Sequence, residues 1–147
     1  MVKRSRTEDI GEAMRAPAGS KLFHAEFHSA DASNPGNEAG ARFTLYLVDA
    51  QETVYTLKAG DRLVIMSGYI LIGGSALQVA MFDGSTLPSL GSLVGGTSII
   101  QGTFSANAGI QQFHDLDRML QVGTYPHLLT NGSGQIDSDF EGYIIQN

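Results

Sequence analysis

The sequence predicts an all-β protein of the sandwich type, and three observations carry that prediction. From residue 21 onward, apolar and polar residues alternate with a period of two in most segments. Turn signals recur about every 8 to 12 residues and divide the chain into about eight short stretches rich in β-branched residues. Glycine occupies 18 of 147 positions, well above the usual share of about 7%, as a chain made of many turns requires.

The opening segment is the exception to the period of two. Ser5-Arg6-Thr7-Glu8 matches a capping box, in which the serine accepts an orphan amide bond and the glutamate reaches back. Ile10, Ala13 and Met14 then share one helical face, and Ala16-Pro17-Ala18-Gly19 ends the pattern. A helix of about ten residues is marginal alone in water and needs a surface to dock on. Residues 1–20 are therefore expected to be an arm carrying a short helix.

In LFHAEFH the period switches: Phe23, Ala25 and Phe27 fall on one face, and His24, Glu26 and His28 on the other. After the turn-rich DASNPGNEAGA comes RFTLYLV, with Phe43, Leu45 and Leu47 inward. TVYTL leads into KAGD, a tight turn in which Gly60 can take a positive φ. RLVIMSGYILIG reads as a long apolar strand, with Ser67-Gly68 marking a bulge or bend. LQVAMFDG and TSIIQGTF are further strands, separated by the loop STLPSLGS. Ile110, Phe113 and Leu116 fit a helix or strands, and short strands broken at Gly123 are the better reading. IDSDFEGYII closes the chain with Ile136, Ser138, Phe140, Gly142 and Ile144 on one face. Eight strands in so short a chain favour a jelly roll over a larger barrel. The expected fold is thus a jelly-roll-like β-sandwich of about eight antiparallel strands, spanning residues 21–147.

A chain of 147 residues suits one domain. Hydrophobic residues make up 42%, mean hydropathy is near zero, and no apolar run approaches the roughly 20 residues of a membrane helix. The start, MVKRSRTED, carries positive charge but lacks an apolar core, so secretion by a signal peptide is not expected. The absence of cysteine excludes a disulfide framework, a thiolate nucleophile and Cys-based metal sites. Asn131-Gly132-Ser133 fits a glycosylation sequon and is read as a turn. The net charge of −6 is unevenly spread: the first 21 residues hold five basic and three acidic side chains, and the remainder four and twelve. A basic arm on an acidic body directs the arm towards an acidic partner.

Candidate chemistry is sparse. His24, Glu26 and His28 resemble a metal-binding triplet, which His114 or His127 would have to complete, but their spacing matches no cupin or zincin pattern. A solvated or interface face is the expected role, with no metal and no cofactor. Asp137, Asp139 and Glu141 form a carboxylate stripe of the kind that attracts calcium or discourages edge pairing, and the second role is favoured. Ser133 lacks a nucleophile-elbow setting, and the glycines of GGSA and VGGTS lack the GK[ST] of a phosphate-binding loop, so no enzyme is expected. An acidic body and an arm without aromatics argue against nucleic acid. In a jelly roll the first strand commonly lies antiparallel to the last, which would bring His24, Glu26 and His28 beside Asp137, Asp139 and Glu141 as a charged seam.

YTLKAGDRLVIMSGYILIGG, followed by LQVAMFDG and closed by LLTNGSGQIDSDFEGYII, resembles the jelly-roll decoration (cement) proteins of tailed bacteriophage capsids. The likeness covers residues 21–147 as a pattern of strands and turns, together with the arm and the lack of cysteine. It implies a structural virion protein, made in the host cytoplasm and placed on the capsid exterior, that binds the outer surface of a phage head across major capsid protein subunits. It also implies a homo-oligomer, a trimer above all. Lys3, Arg4, Arg6, Ile10, Met14 and Arg15 are the arm residues expected to meet the partner. The alternative is a carbohydrate- or receptor-binding jelly-roll module, which would need a row of exposed aromatics, whereas Tyr55, Tyr69 and Tyr143 are scattered and tryptophan is absent.

Overall fold

The computed structural model describes residues 16–29, 41–49, 51–83, 98–130 and 134–146. The helix expected around Ser5–Met14, the arm contacts Lys3, Arg4, Arg6, Ile10, Met14 and Arg15, and the Asn131–Ser133 turn lie outside the described residues. Within them the chain is all-β: β1 Lys21–Ser29, β2 Ala41–Arg42, β3 Thr44–Leu47, β4 Arg62–Ile72, β5 Leu77–Asp83, β6 Ser98–Phe104, β7 Gly109–Phe113, β8 Arg118–Met119, β9 Pro126–Thr130 and β10 Ile136–Ile145. They form two antiparallel sheets that share one core. The first runs β3-β1-β10-β4-β7, with β8 also on β4, and the second runs β2-β9-β5-β6.

The period of two explains which face each strand buries. Ile136, Ser138, Phe140, Gly142 and Ile144 of β10 are all buried, while the residues between them are partly or fully exposed. Phe23 and Ala25 of β1, Leu63, Ile65, Ile70 and Ile72 of β4, and Leu77, Val79, Met81 and Leu128 of the second sheet complete the core. Between the sheets runs a ladder of aromatic rings. Phe27 meets Phe43 at 5.8 Å, Phe43 meets Phe140 edge-on at 6.3 Å, Phe140 stacks on Phe113 at 6.3 Å, and Phe113 meets Phe104 at 6.5 Å. Such offset and edge-on pairs add to the free energy of burying the rings themselves.

Three local expectations are refined. RFTLYLV is not one strand in one sheet: Ala41–Arg42 pairs β9 and Thr44–Leu47 pairs β1, with Phe43 at the crossing, fully buried. TVYTL contributes only a single bridge, Val54 to Tyr46. Its Tyr55 hydroxyl instead donates to the buried Asp61 carboxylate at 2.6 Å, which also accepts the Lys58 amide at 2.9 Å and so ties the Gly60 turn (φ 93°) to the core. The bulge in β4 falls one residue before the expected pair. Glu141 faces Ser67 and Gly142 faces Ile65, leaving Met66 as the extra residue.

Two glycines make this packing possible. A Cβ on Gly142 would overlap the Val64 carbonyl oxygen of β4, and one on Gly68 would overlap the Phe140 ring and the Asp139 carbonyl. Gly142→Ala is expected to destabilise the fold by about 1–3 kcal/mol in chemical denaturation, since backbone rather than a flexible side chain must give way. Gly74→Ala, where nothing lies within 4 Å of the added methyl, is the matched control and is expected to change little. Equal effects at the two positions would contradict this packing.

Candidate functional site

With the buried face of each strand fixed, the other face of the first sheet is fixed too. β1 and β10 pair without a break from Lys21↔Ile144 to Ser29↔Ile136, so His24 lies opposite Glu141, Glu26 opposite Asp139 and His28 opposite Asp137. The rows continue across the sheet. Thr44, Glu26, Asp139, Tyr69 and Gln112 form one row, and Tyr46, His24, Glu141 and Ser67 form the next. The structure thus brings together all six residues singled out in HAEFH and DSDFE.

Their contacts divide unequally. His28 Nδ1 lies 2.9 Å from Asp137 Oδ1, and Asp137 Oδ2 accepts Gln135 Nε2 at 3.1 Å. Ser67 Oγ donates to Glu141 Oε1 at 2.8 Å. The ion pairs of Glu26 and Asp139 among the described residues are with histidines. His24 Nδ1 stands 3.4 Å from Glu26 Oε1 and 3.6 Å from Asp139 Oδ1, and His28 Nε2 is 3.8 Å from Glu26 Oε2. The His24 ring stacks on Tyr46, 5.1 Å between centroids at 19°, and its Nε2 is buried without a hydrogen-bond partner.

The face expected to be solvated or to form an interface is half-buried around His24 in the single chain. Only 17% of the His24 side chain and 30% of the Asp139 side chain are accessible. Neighbouring segments border this part of the sheet. Asp49 Oδ1 accepts the amides of Gln51 and Thr53, closing a turn that sets Glu52 at one side, and the segment after β7 brings His114 to the other. Together with Val48, Tyr69 and Gln112 they line an open cavity of about 500 Å³ beside His24, Glu26 and Asp139.

Tyr46, Glu52 and Gln112 carry no signal singled out in the sequence, while Ser67 is read there only as part of a bulge and Tyr69 only as a scattered aromatic. Tyr46 was legible in principle, because it alternates with the inward Leu45 and Leu47 and must point outward beside His24. His127, weighed as a completing ligand, sits in the second sheet on β9, where its ring stacks on Phe82 at 5.8 Å and burial lowers its pKa. It is remote from HAEFH by topology. Tyr55 is in the core, so it forms no aromatic row with Tyr69 and Tyr143.

No protein-family model matches the chain, nor does any curated protein or solved structure.

Burial pushes the Asp139 carboxyl up to about 6; His24 and His28 oppose the shift, and Glu26 and Glu141 add to it. An unfolded aspartate titrates near about 4. Between these values the folded chain keeps a proton that the unfolded chain has lost, so stability falls as pH rises from about 4 to about 6 and stays lower above. In metal-free buffer, Asp139→Asn is expected to raise the melting temperature at pH 7.5 by roughly 2–4 °C and to give no such gain at pH 4. The same gain at both pH values would show that Asp139 is not the titrating group.

Proposed function

We propose that this protein is a structural virion protein, a capsid decoration protein with a jelly-roll body that binds the outer surface of a phage head across major capsid protein subunits. The observation that carries the reading is the order of strand pairing. With β2 and β3 counted as one strand, and β7 and β8 as another, the first strand pairs with the last, the second with the seventh, the third with the sixth and the fourth with the fifth. That order supports a ribbon doubled at its midpoint and rolled into two facing sheets, as in a jelly roll of eight strands.

Charge supports the same reading. The basic first 21 residues and the acidic remainder suit attachment through the arm, with the acidic body turned away. The exterior surface of a virion is the location this implies. A homotrimer fits as well, since linking several weak contacts raises the effective concentration of each. A second reading, a carbohydrate- or receptor-binding jelly-roll module, draws support from the cavity on the first sheet, where Tyr69 and Gln112 offer an aromatic face and an amide beside carboxylates.

The deciding experiment adds purified protein to capsids stripped of it and follows sedimentation. Full-length chain is expected to co-sediment at a fixed ratio to capsid subunits, and chain lacking residues 1–20 is expected to keep its fold by circular dichroism while binding at least about tenfold more weakly. Binding unchanged by the truncation would overturn the role of the arm. No binding of either form would overturn the capsid reading and leave the sugar- or receptor-binding one.

A further inference from the structure

We propose that His24, Glu26 and Asp139 form a binding site for a divalent first-row metal ion, zinc foremost, on the outer face of the first sheet. The donor atoms of these three side chains lie within 4.8 Å of one another. Two of the three separations are informative. Nδ1 of His24 is 3.4 Å from Glu26 Oε1 and 3.6 Å from Asp139 Oδ1. Both exceed the usual 2.7–3.2 Å of an N–H···O hydrogen bond. Both match the edge of a tetrahedron around zinc, because ligands at about 2.0–2.2 Å stand about 3.3–3.6 Å apart. The third edge, between the two carboxylates, is no longer than 4.8 Å, and a cation there would offset their mutual repulsion.

The electrostatics of the sheet point to the same place. Glu26 and Asp139 are direct cross-strand partners, and like charges placed directly opposite are destabilising. The flanking acids already have hydrogen-bond donors: His28 and Gln135 for Asp137, and Ser67 for Glu141. Glu26 and Asp139 meet their histidine partners only at 3.4–3.8 Å, longer than a hydrogen bond. His28, despite the regular spacing in HAEFH, stands outside this group of three: its Nδ1 is engaged by Asp137 and its Nε2 lies 3.8 Å from Glu26 Oε2. The third ligand comes instead from the last strand.

The site is also held in shape. Tyr46 fixes the plane of the His24 ring by stacking, and burial of Nε2 leaves Nδ1 as the nitrogen turned towards the carboxylates. The fourth coordination position opens on the cavity, which has room for water or a small anionic ligand. One imidazole with two carboxylates suits zinc, or manganese after it; calcium would require a shell made of oxygen alone. A metal here joins the first strand to the last, so it binds the folded chain and not the unfolded one and raises stability by linkage.

The test titrates zinc chloride into the EDTA-stripped full-length chain by calorimetry, with imidazole proton–nitrogen NMR spectra of the four histidines recorded alongside. One equivalent is expected to bind, with the His24 resonances shifting at stoichiometric zinc while those of His127 stay in place. Asp139→Asn and Glu26→Gln are each expected to weaken binding roughly tenfold or more while leaving the metal-free spectra otherwise native. The wild-type spectra read the site even where a variant folds poorly. No binding at millimolar zinc, binding that shifts all four histidines alike, or an affinity unchanged in Asp139→Asn would each overturn the proposal.

Discussion

The register between the first strand and the last is the constraint on which the rest of this structure depends. β10 lies between β1 and β4, and its alternate residues must enter the core at Ile136, Ser138, Phe140, Gly142 and Ile144. The absence of a side chain at Gly142 lets that strand lie against Val64, and the absence of one at Gly68 makes room for the Phe140 ring. A slip of one residue would expose every buried group of β10 and bury its carboxylates, a change that no local adjustment could offset. Ser138 shows how closely the face is adapted: it is the polar member of the buried series, and its hydroxyl donates to the Tyr69 carbonyl at 3.0 Å.

From that register the cluster of six polar residues follows without further design. Once Phe140 is inside, Asp139 and Glu141 are outside. Once Phe23 and Ala25 are inside, His24 and Glu26 stand next to them. The core thus specifies the site indirectly, and the charged groups need little intrinsic attraction to be assembled. Pairs of this kind contribute only about 0.2–1 kcal/mol each, so the apolar face supplies the positioning and the polar face inherits it.

Much of this was legible in the sequence. The alternation in LFHAEFH and IDSDFEGYII sets the inward residues of both strands, and it predicts their shared polar face once the first strand is placed beside the last. The bulge in β4 was signalled by Ser67-Gly68 and falls at Met66, while Gly68 admits the Phe140 ring. What the pattern did not reveal was depth. A period of two separates the two faces of a strand, yet it does not say that the Asp49 turn and the segment carrying His114 rise around the outer face. For the same reason Glu52 and Gln112 were not anticipated as neighbours of His24. Their approach depends on loop geometry and on sheet order, neither of which leaves a local trace in the sequence.

A chain without native cysteine allows the register to be read directly. Cysteines placed at Glu26 and Asp139, which are directly opposed, should form a disulfide spontaneously in air, since opposed residues in antiparallel strands stand about 4.5–5.5 Å apart at Cα, within bonding range. Cysteines at Glu26 and Asp137, one step along the same face, should remain reduced under the same conditions. Efficient oxidation of the Glu26–Asp139 pair alone is the result this account predicts. Preferential oxidation of the Glu26–Asp137 pair would place the strands in another register and contradict it.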